Sequence, residues 1–193
     1  MSWSRSGRRA TAPPCPSGSP TLCAATTIGW ARSLSETPRL RHSVRVLLLD
    51  ERDRLLLFAG EEPATGARFW FPPGGGLEED EDVFAAAARE LAEETGLADV
   101  ALGPEVWRRR HVFAWRGMEW DQRERWFMAR VRHFEPAGRA MSAAERIDLK
   151  AWRWWSVDEL ESAGDDLVPR DLAARLRRLL ADGPPSSPVD VGV

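Results

Sequence analysis

Hydrophobic and polar positions divide the chain into segments of distinct period. From Ser43 to Asp50 a β-branched and aliphatic run (Val44, Val46, Leu47, Leu48, Leu49) is broken only by Arg45. Glu51 to Arg54 are polar and Leu55 to Phe58 resume the apolar run, which predicts a hairpin of two strands. After a loop containing Gly and Pro, Arg68 to Phe71 read as a short strand running into Pro72-Pro73-Gly74-Gly75-Gly76. Between Asp82 and Thr95 the apolar residues Val83, Phe84, Ala87, Ala88 and Leu91 recur at helical spacing, and Gly96 stands where a C-cap glycine belongs. Glu105 to Phe113 and Arg123 to Phe134 predict two more strands with a turn at Gly117, and Ala151 to Trp155 predict another. Ser156 and Glu159 have the spacing of a capping box, and a last helix is expected from Pro169, with Leu172, Leu176, Leu179 and Leu180 on one face, up to Gly183-Pro184-Pro185. This order describes an α+β fold in which helices flank a mixed sheet. No internal repeat is visible.

Composition narrows the picture. A chain of 193 residues with 43% hydrophobic content supports one domain with its own core. Lys and Arg number 27 against 30 Asp and Glu, a net charge of −3, so no global field recruits a nucleic acid polymer, and any phosphate site must be made locally. No apolar run approaches the roughly 20 residues that span a bilayer, so no membrane partner is expected. Residues 1 to 40 are rich in Ser, Pro, Ala, Thr and Arg, lack an acid before Glu36, and read as a disordered leader. A targeting peptide, a secretory signal with a poor apolar centre from Thr21 to Ile28, or a start codon placed too early are the competing readings. The folded domain is expected over 41 to 182, and the Pro-rich stretch 183 to 193 as a flexible tail. Cys15 and Cys23 both lie in the leader, which argues against a disulfide framework or a thiolate zinc site and fits a reducing, cytoplasmic setting.

Eight carboxylates fall between Glu78 and Glu94, with Arg89 the one cation among them. Those at 79 to 82 precede or open a helix and are favoured by its dipole. Glu90, Glu93 and Glu94 crowd the last turn, where the dipole opposes negative charge and the i,i+4 pair Glu90 and Glu94 repel. Arg89 reaches Glu93 at i+4, yet one guanidinium leaves a net two negative charges. A solvated helix face is the bland reading; a hard divalent cation, Mg²⁺ or Mn²⁺, is the sharper one. The glycines at 74 to 76 let backbone turn through positive φ and approach a ligand closely, offering carbonyls to a metal and N–H groups to a phosphate, or merely a tight bend.

Spacing decides between these readings. Gly75, five residues, Glu81, seven residues, then Arg89-Glu90-Leu91-Ala92-Glu93-Glu94-Thr95-Gly96-Leu97 fills every fixed position of a motif nine positions strong. On these residues the chain resembles the Nudix hydrolase superfamily, over roughly Arg41 to Asp182. Asp80 stands where many members have Gly, outside the fixed pattern, and implies a changed turn.

The resemblance implies an enzyme that cleaves the diphosphate linkage of a nucleoside diphosphate derivative or nucleoside triphosphate with metal-activated water. It casts Glu90 and Glu94 as principal metal ligands, Glu93 as a further ligand or the base, the Gly74 carbonyl as an extra ligand, and Arg89 as the residue that holds the glutamates; Glu81 packs and hydrogen-bonds near the helix. A further acid outside the motif often serves as base or ligand, with Glu145 and Glu124 the candidates. Homodimers are common among relatives.

Ten tryptophans and no tyrosine are unusual. Most belong to strands and read as core; Trp70 or Trp107 could stack on a base at a cleft edge. Arg45, Arg108, Arg109, Arg110 and His111 could contact a distal phosphate or sugar, or simply line solvated strand faces. A catalytically silent module that senses a nucleotide is the alternative from another class, although its glutamates would ordinarily be degraded. An isomerase of isoprenoid diphosphates would want a cysteine inside the domain. The particular substrate is not encoded in any auxiliary motif.

Overall fold

A computed structural model of the chain describes residues 37–61, 66–115, 117–137, 149–163 and 166–192. In chain order the elements are β1 (Arg39–Leu49), β2 (Leu55–Glu61), β3 (Arg68–Phe71), α1 (Val83–Thr95), β4 (Glu105–Trp115), β5 (Met118–Arg130), β6 (Leu149–Trp155), α2 (Val157–Ser162), β7 (Asp166–Leu167), α3 (Leu172–Asp182) and β8 (Val189–Asp190). The strands make one mixed sheet in the order β7-β3-β2-β1-β5-β4-β8, with β6 pairing β2 off that path. Alternation along the strands gives the sheet two apolar faces. Val44, Val46, Leu48, Phe127 and Ala129 point to one face and pack against Val83, Ala86, Ala87 and Leu91 of α1. Leu47, Leu49, Leu55, Leu57, Trp107 and Trp126 point to the other and pack against Val157 and Leu160 of α2 and Leu172, Leu176 and Leu179 of α3. The α+β arrangement with helices on both faces of a mixed sheet is the expected one. No helix among the described residues is long and apolar enough to cross a membrane.

The turn after β1 is built on Asp50. Its buried carboxylate accepts from the Arg52 and Arg54 amides at 2.9 Å and from Arg54 Nε at 2.7 Å. The expected hairpin is present only at this tip, where Leu49 faces Leu55. Along its length β1 instead pairs in parallel with β5, from Arg39 opposite Trp120 to Leu49 opposite Arg130. The other edge of β1 is taken by the glycine loop: the Val44 and Val46 amides donate to the Gly75 and Pro73 carbonyls at 2.9 Å, and the Leu77 amide donates to the His42 carbonyl at 3.0 Å. The loop therefore separates β1 from β2 and is seated on a central strand.

Capping follows the chain's own chemistry. The Asp82 side chain accepts from the Phe84 amide and opens α1, and Gly96, at φ 79°, closes it. Ser156 and Glu159 form the complete capping box of α2. The last helix begins at Leu172, three residues after the Pro169 from which it was expected. The stretch 183 to 193, read from its Pro and Ser content as a flexible tail, carries β8, which pairs in parallel with β4, and Val191 is buried in the core. The alternation of Val189 and Val191 around Asp190 supplies both a strand and an anchor.

Candidate active site

Seating the loop on β1 puts the end of α1 beneath it. Gly74 has φ +129°, and a Cβ there would collide with the Val44 carbonyl oxygen, so only glycine fits. A Cβ on Gly75 would fall on the carboxylate of Glu90. The Gly74 amide donates to Glu94 Oε2 at 2.8 Å. Two of the three last-turn glutamates therefore lie directly against the loop.

Arg89 ties the motif together. Its Nε and Nη2 donate to the two oxygens of Glu81 at 2.9 Å, and Nη2 also to the Gly76 carbonyl at 2.9 Å. Its Nη1 donates to Glu90 Oε1 at 3.0 Å and Glu93 Oε2 at 3.4 Å. One guanidinium thus joins the loop before the helix to two glutamates on its last turns, a forked geometry that Lys does not have. Hydrogen bonding to Glu81 raises the pKa of Arg89. The same bond lowers that of Glu81.

Glu90 moves the other way. Burial pushes its carboxyl above the usual range, Glu93 adds to the effect, and Arg89 opposes it. The side chain of Glu90 is 7% exposed and that of Glu93 28%. Among the described residues no three acidic, imidazole or thiol side chains already converge on one point. Glu90 and Glu93 accept from Arg89 and Glu94 from the Gly74 amide. The donor set fits a hard cation: three carboxylates lie close together at the end of α1, Glu90 and Glu94 are buried, and one guanidinium serves only Glu90 and Glu93 among them.

The remaining expected residues spread over two regions. Arg45 is engaged by protein groups, its Nη1 donating to the Gly74 carbonyl at 2.6 Å and the Pro72 carbonyl at 3.3 Å and its Nε to Glu124 at 3.4 Å. Trp107 is only 5% exposed and packs on Trp126, leaving no ring face for a base; strand alternation turns it into the core. Trp70 is partly buried and meets Trp155 edge-on at 5.1 Å. Trp107 is therefore a packing residue in this structure. Glu124 is 3% exposed and receives four side-chain donors. Arg108 and Arg110 lie on the opposite side of β4 from Arg109 and His111, paired with Glu105 and Asp121. Glu145 lies outside the described residues.

Cross-strand register brings the candidates Glu124, Arg109 and His111 together with Ser43, Arg41 and Gln122, which reading along the chain missed. Ser43, Glu124 and Arg109 form one row across β1, β5 and β4, and Arg41, Gln122 and His111 form the next. Ser43 Oγ, Arg109 Nε and His111 Nδ1 are three of the six buried side-chain polar atoms among the described residues that lack a hydrogen-bond partner. Burial lowers the pKa of His111, favouring the neutral ring. This polar strip adjoins the glycine loop through Arg41, whose guanidinium lies beside Gly76. Only the parallel pairing of β1 with β5 reveals it.

Comparison with known proteins agrees with this geometry. A family model described as the NUDIX domain matches residues 39–181. An RNA pyrophosphohydrolase of Caulobacter vibrioides is 36% identical over 135 residues, covering 63% of this chain and 75% of the relative. Nudix hydrolase 25 of Arabidopsis thaliana is 32% identical over 136 residues, covering 64% and 76%. Among solved structures, the MutT protein of Methanosarcina mazei Go1 shares the fold with a TM-score of 0.55 at 20% identity, covering 75% of this chain and 97% of its own. The family match over most of the chain, the filled motif and the shared fold together make this protein a member of the Nudix hydrolase family.

Proposed function

We propose that the chain is a metal-dependent pyrophosphohydrolase that cuts a phosphate–phosphate bond in a nucleoside diphosphate derivative or nucleoside triphosphate. The observation that carries this reading is the Arg89 network, which draws Glu81, Glu90, Glu93 and the Gly76 carbonyl around one guanidinium while the loop holds Glu94. Bound Mg²⁺ or Mn²⁺ would neutralise the diphosphate and acidify water. Glu90 and Glu94 would hold it, with the Gly74 carbonyl able to contribute the lone pair that Arg45 leaves free.

In this reading Glu93 is the proton acceptor, because it is the more exposed of the two α1 glutamates that Arg89 bonds and water can reach it. Arg89 fixes the rotamers of Glu90 and Glu93, so that neither has to be ordered during turnover. Glu145 remains a candidate second base. Intact glutamates favour turnover over silent sensing.

The test is a screen of the purified protein with Mg²⁺ or Mn²⁺ against nucleoside triphosphates, nucleotide sugars, ADP-ribose and dinucleoside polyphosphates. A 5′-triphosphorylated RNA oligonucleotide joins the panel because of the name carried by the Caulobacter relative. Release of a nucleoside monophosphate or of a trimmed RNA end, lost in Glu93→Gln and Glu94→Gln, is the expected result. Tight binding without turnover would favour the sensing module instead.

A further inference from the structure

Arg45 stands between the glycine loop and a buried acid. Its Nη1 bonds the Pro72 and Gly74 carbonyls, which flank the Pro73–Gly74 peptide, and the N–H of that peptide donates to Glu94. Its Nε faces Glu124 Oε1 at 3.4 Å. Glu124 is surrounded: Gln122 Nε2 donates at 2.7 Å, Trp126 Nε1 at 3.1 Å and Arg109 Nη1 at 3.4 Å, all from β5 and its neighbour β4. Burial works against ionisation of Glu124, but the two arginines outweigh it and keep the carboxylate charged.

A carboxylate with protein donors on both oxygens and almost no exposed surface is poorly placed to take a proton from water or to bind a cation. Neither is it an economical stabiliser, because a buried ion pair generally holds a fold no better than an apolar pair of the same volume. What the arrangement does achieve is geometric. Glu124 fixes the guanidinium from the centre of the sheet, and the guanidinium fixes both carbonyls that bracket the peptide holding Glu94.

We propose that Arg45, anchored by Glu124, is a positioning residue of this site that sets the glycine loop and through it the carboxylate of Glu94, rather than a ligand of the substrate's distal phosphate. The kinetic half of this inference rests on the hydrolase reading. The structural half does not.

The test uses the full chain with Arg45→Met, Arg45→Lys and Glu124→Gln. With the diphosphate that the wild type turns over best, Arg45→Met lowers kcat on the order of 100-fold and leaves KM within about threefold, the signature of a misplaced group rather than a lost binding contact. Arg45→Lys recovers about tenfold of that loss, because an ammonium still reaches the Gly74 carbonyl but lacks the fork to Glu124. In the protein without substrate or metal, the Gly74 amide exchanges hydrogen about fivefold faster in Arg45→Met, as expected for one weakened hydrogen bond. Glu124→Gln, if it folds, reproduces both effects, and Arg45→Met decides the matter if it does not. A rise in KM with kcat intact would show that Arg45 touches substrate and would overturn the proposal. Unchanged exchange at Gly74 would overturn it equally, and that measurement stands even if the wild type hydrolyses no diphosphate, which would refute only the hydrolase reading.

Discussion

Arg89 meets Glu81 through two parallel hydrogen bonds of 2.9 Å, joining the loop before α1 to a residue two turns into the helix. The remaining guanidinium nitrogen serves Glu90 and Glu93. Arg89→Lys keeps the charge and loses the fork, so turnover should fall on the order of 100-fold while the far-ultraviolet circular dichroism stays that of the wild type. Equal turnover in the two proteins would mean that the network orders nothing that chemistry needs.

Two adjacent glycines should respond differently. Gly74→Ala places a Cβ against the Val44 carbonyl at a φ that L side chains rarely adopt, so the loop must leave β1. Denaturant unfolding should show a loss of about 2 kcal/mol or more. Gly75→Ala instead meets first the carboxylate of Glu90, the far end of a side chain rather than backbone, so displacing it should cost less stability and most of the activity. The same pair of measurements on both variants separates a backbone clash from a side-chain one.

Trp107 is packed against Trp126 and excluded from solvent, so Trp107→Ala should destabilise by about 3–5 kcal/mol in denaturant unfolding. A raised KM with unchanged stability would restore it as a base-stacking residue.

How far the sequence reveals this structure depends on whether a feature is local. The α1 period, its Gly96 cap and the capping box of α2 are written in adjacent residues and are found where the sequence predicts them. The β1–β2 hairpin is a partial success, because alternation identifies strands but not their partners. Here β1 takes β5 in parallel and surrenders its other edge to the glycine loop. Arg45 and Glu124 lie 79 positions apart, and nothing in a single sequence marks them as a pair. Trp107 shows the same limit: one aromatic in a strand reads alike for core and cleft until the face is known. In the last segment, Pro and Ser content masks a two-residue strand and the anchoring Val191.

Glu105 offers a pH test away from the site. Burial favours its neutral form, but hydrogen bonds from Arg125 and Arg108 outweigh this and lower its pKa to about 2 from the ordinary 4.5. A carboxyl whose pKa is depressed by folding contributes stability above its unfolded pKa and loses it as pH falls towards the folded value. Arg108 is largely and Arg125 partly exposed, so both are screened, and Glu105→Gln should cost only about 1 kcal/mol at pH 7. That difference should shrink as the pH is lowered from 4.5 towards 2.

If the last-turn glutamates direct water at phosphorus, hydrolysis of the preferred diphosphate in ¹⁸O-labelled water with Mg²⁺ will show it, with both products followed by mass for the wild type and for Glu93→Gln. The expected result is one label in a single phosphate-bearing fragment, equal amounts of the two fragments, and a rate lower by about 100-fold or more in the variant. Undiminished turnover in Glu93→Gln, or label incorporated anywhere other than a phosphate, would contradict it.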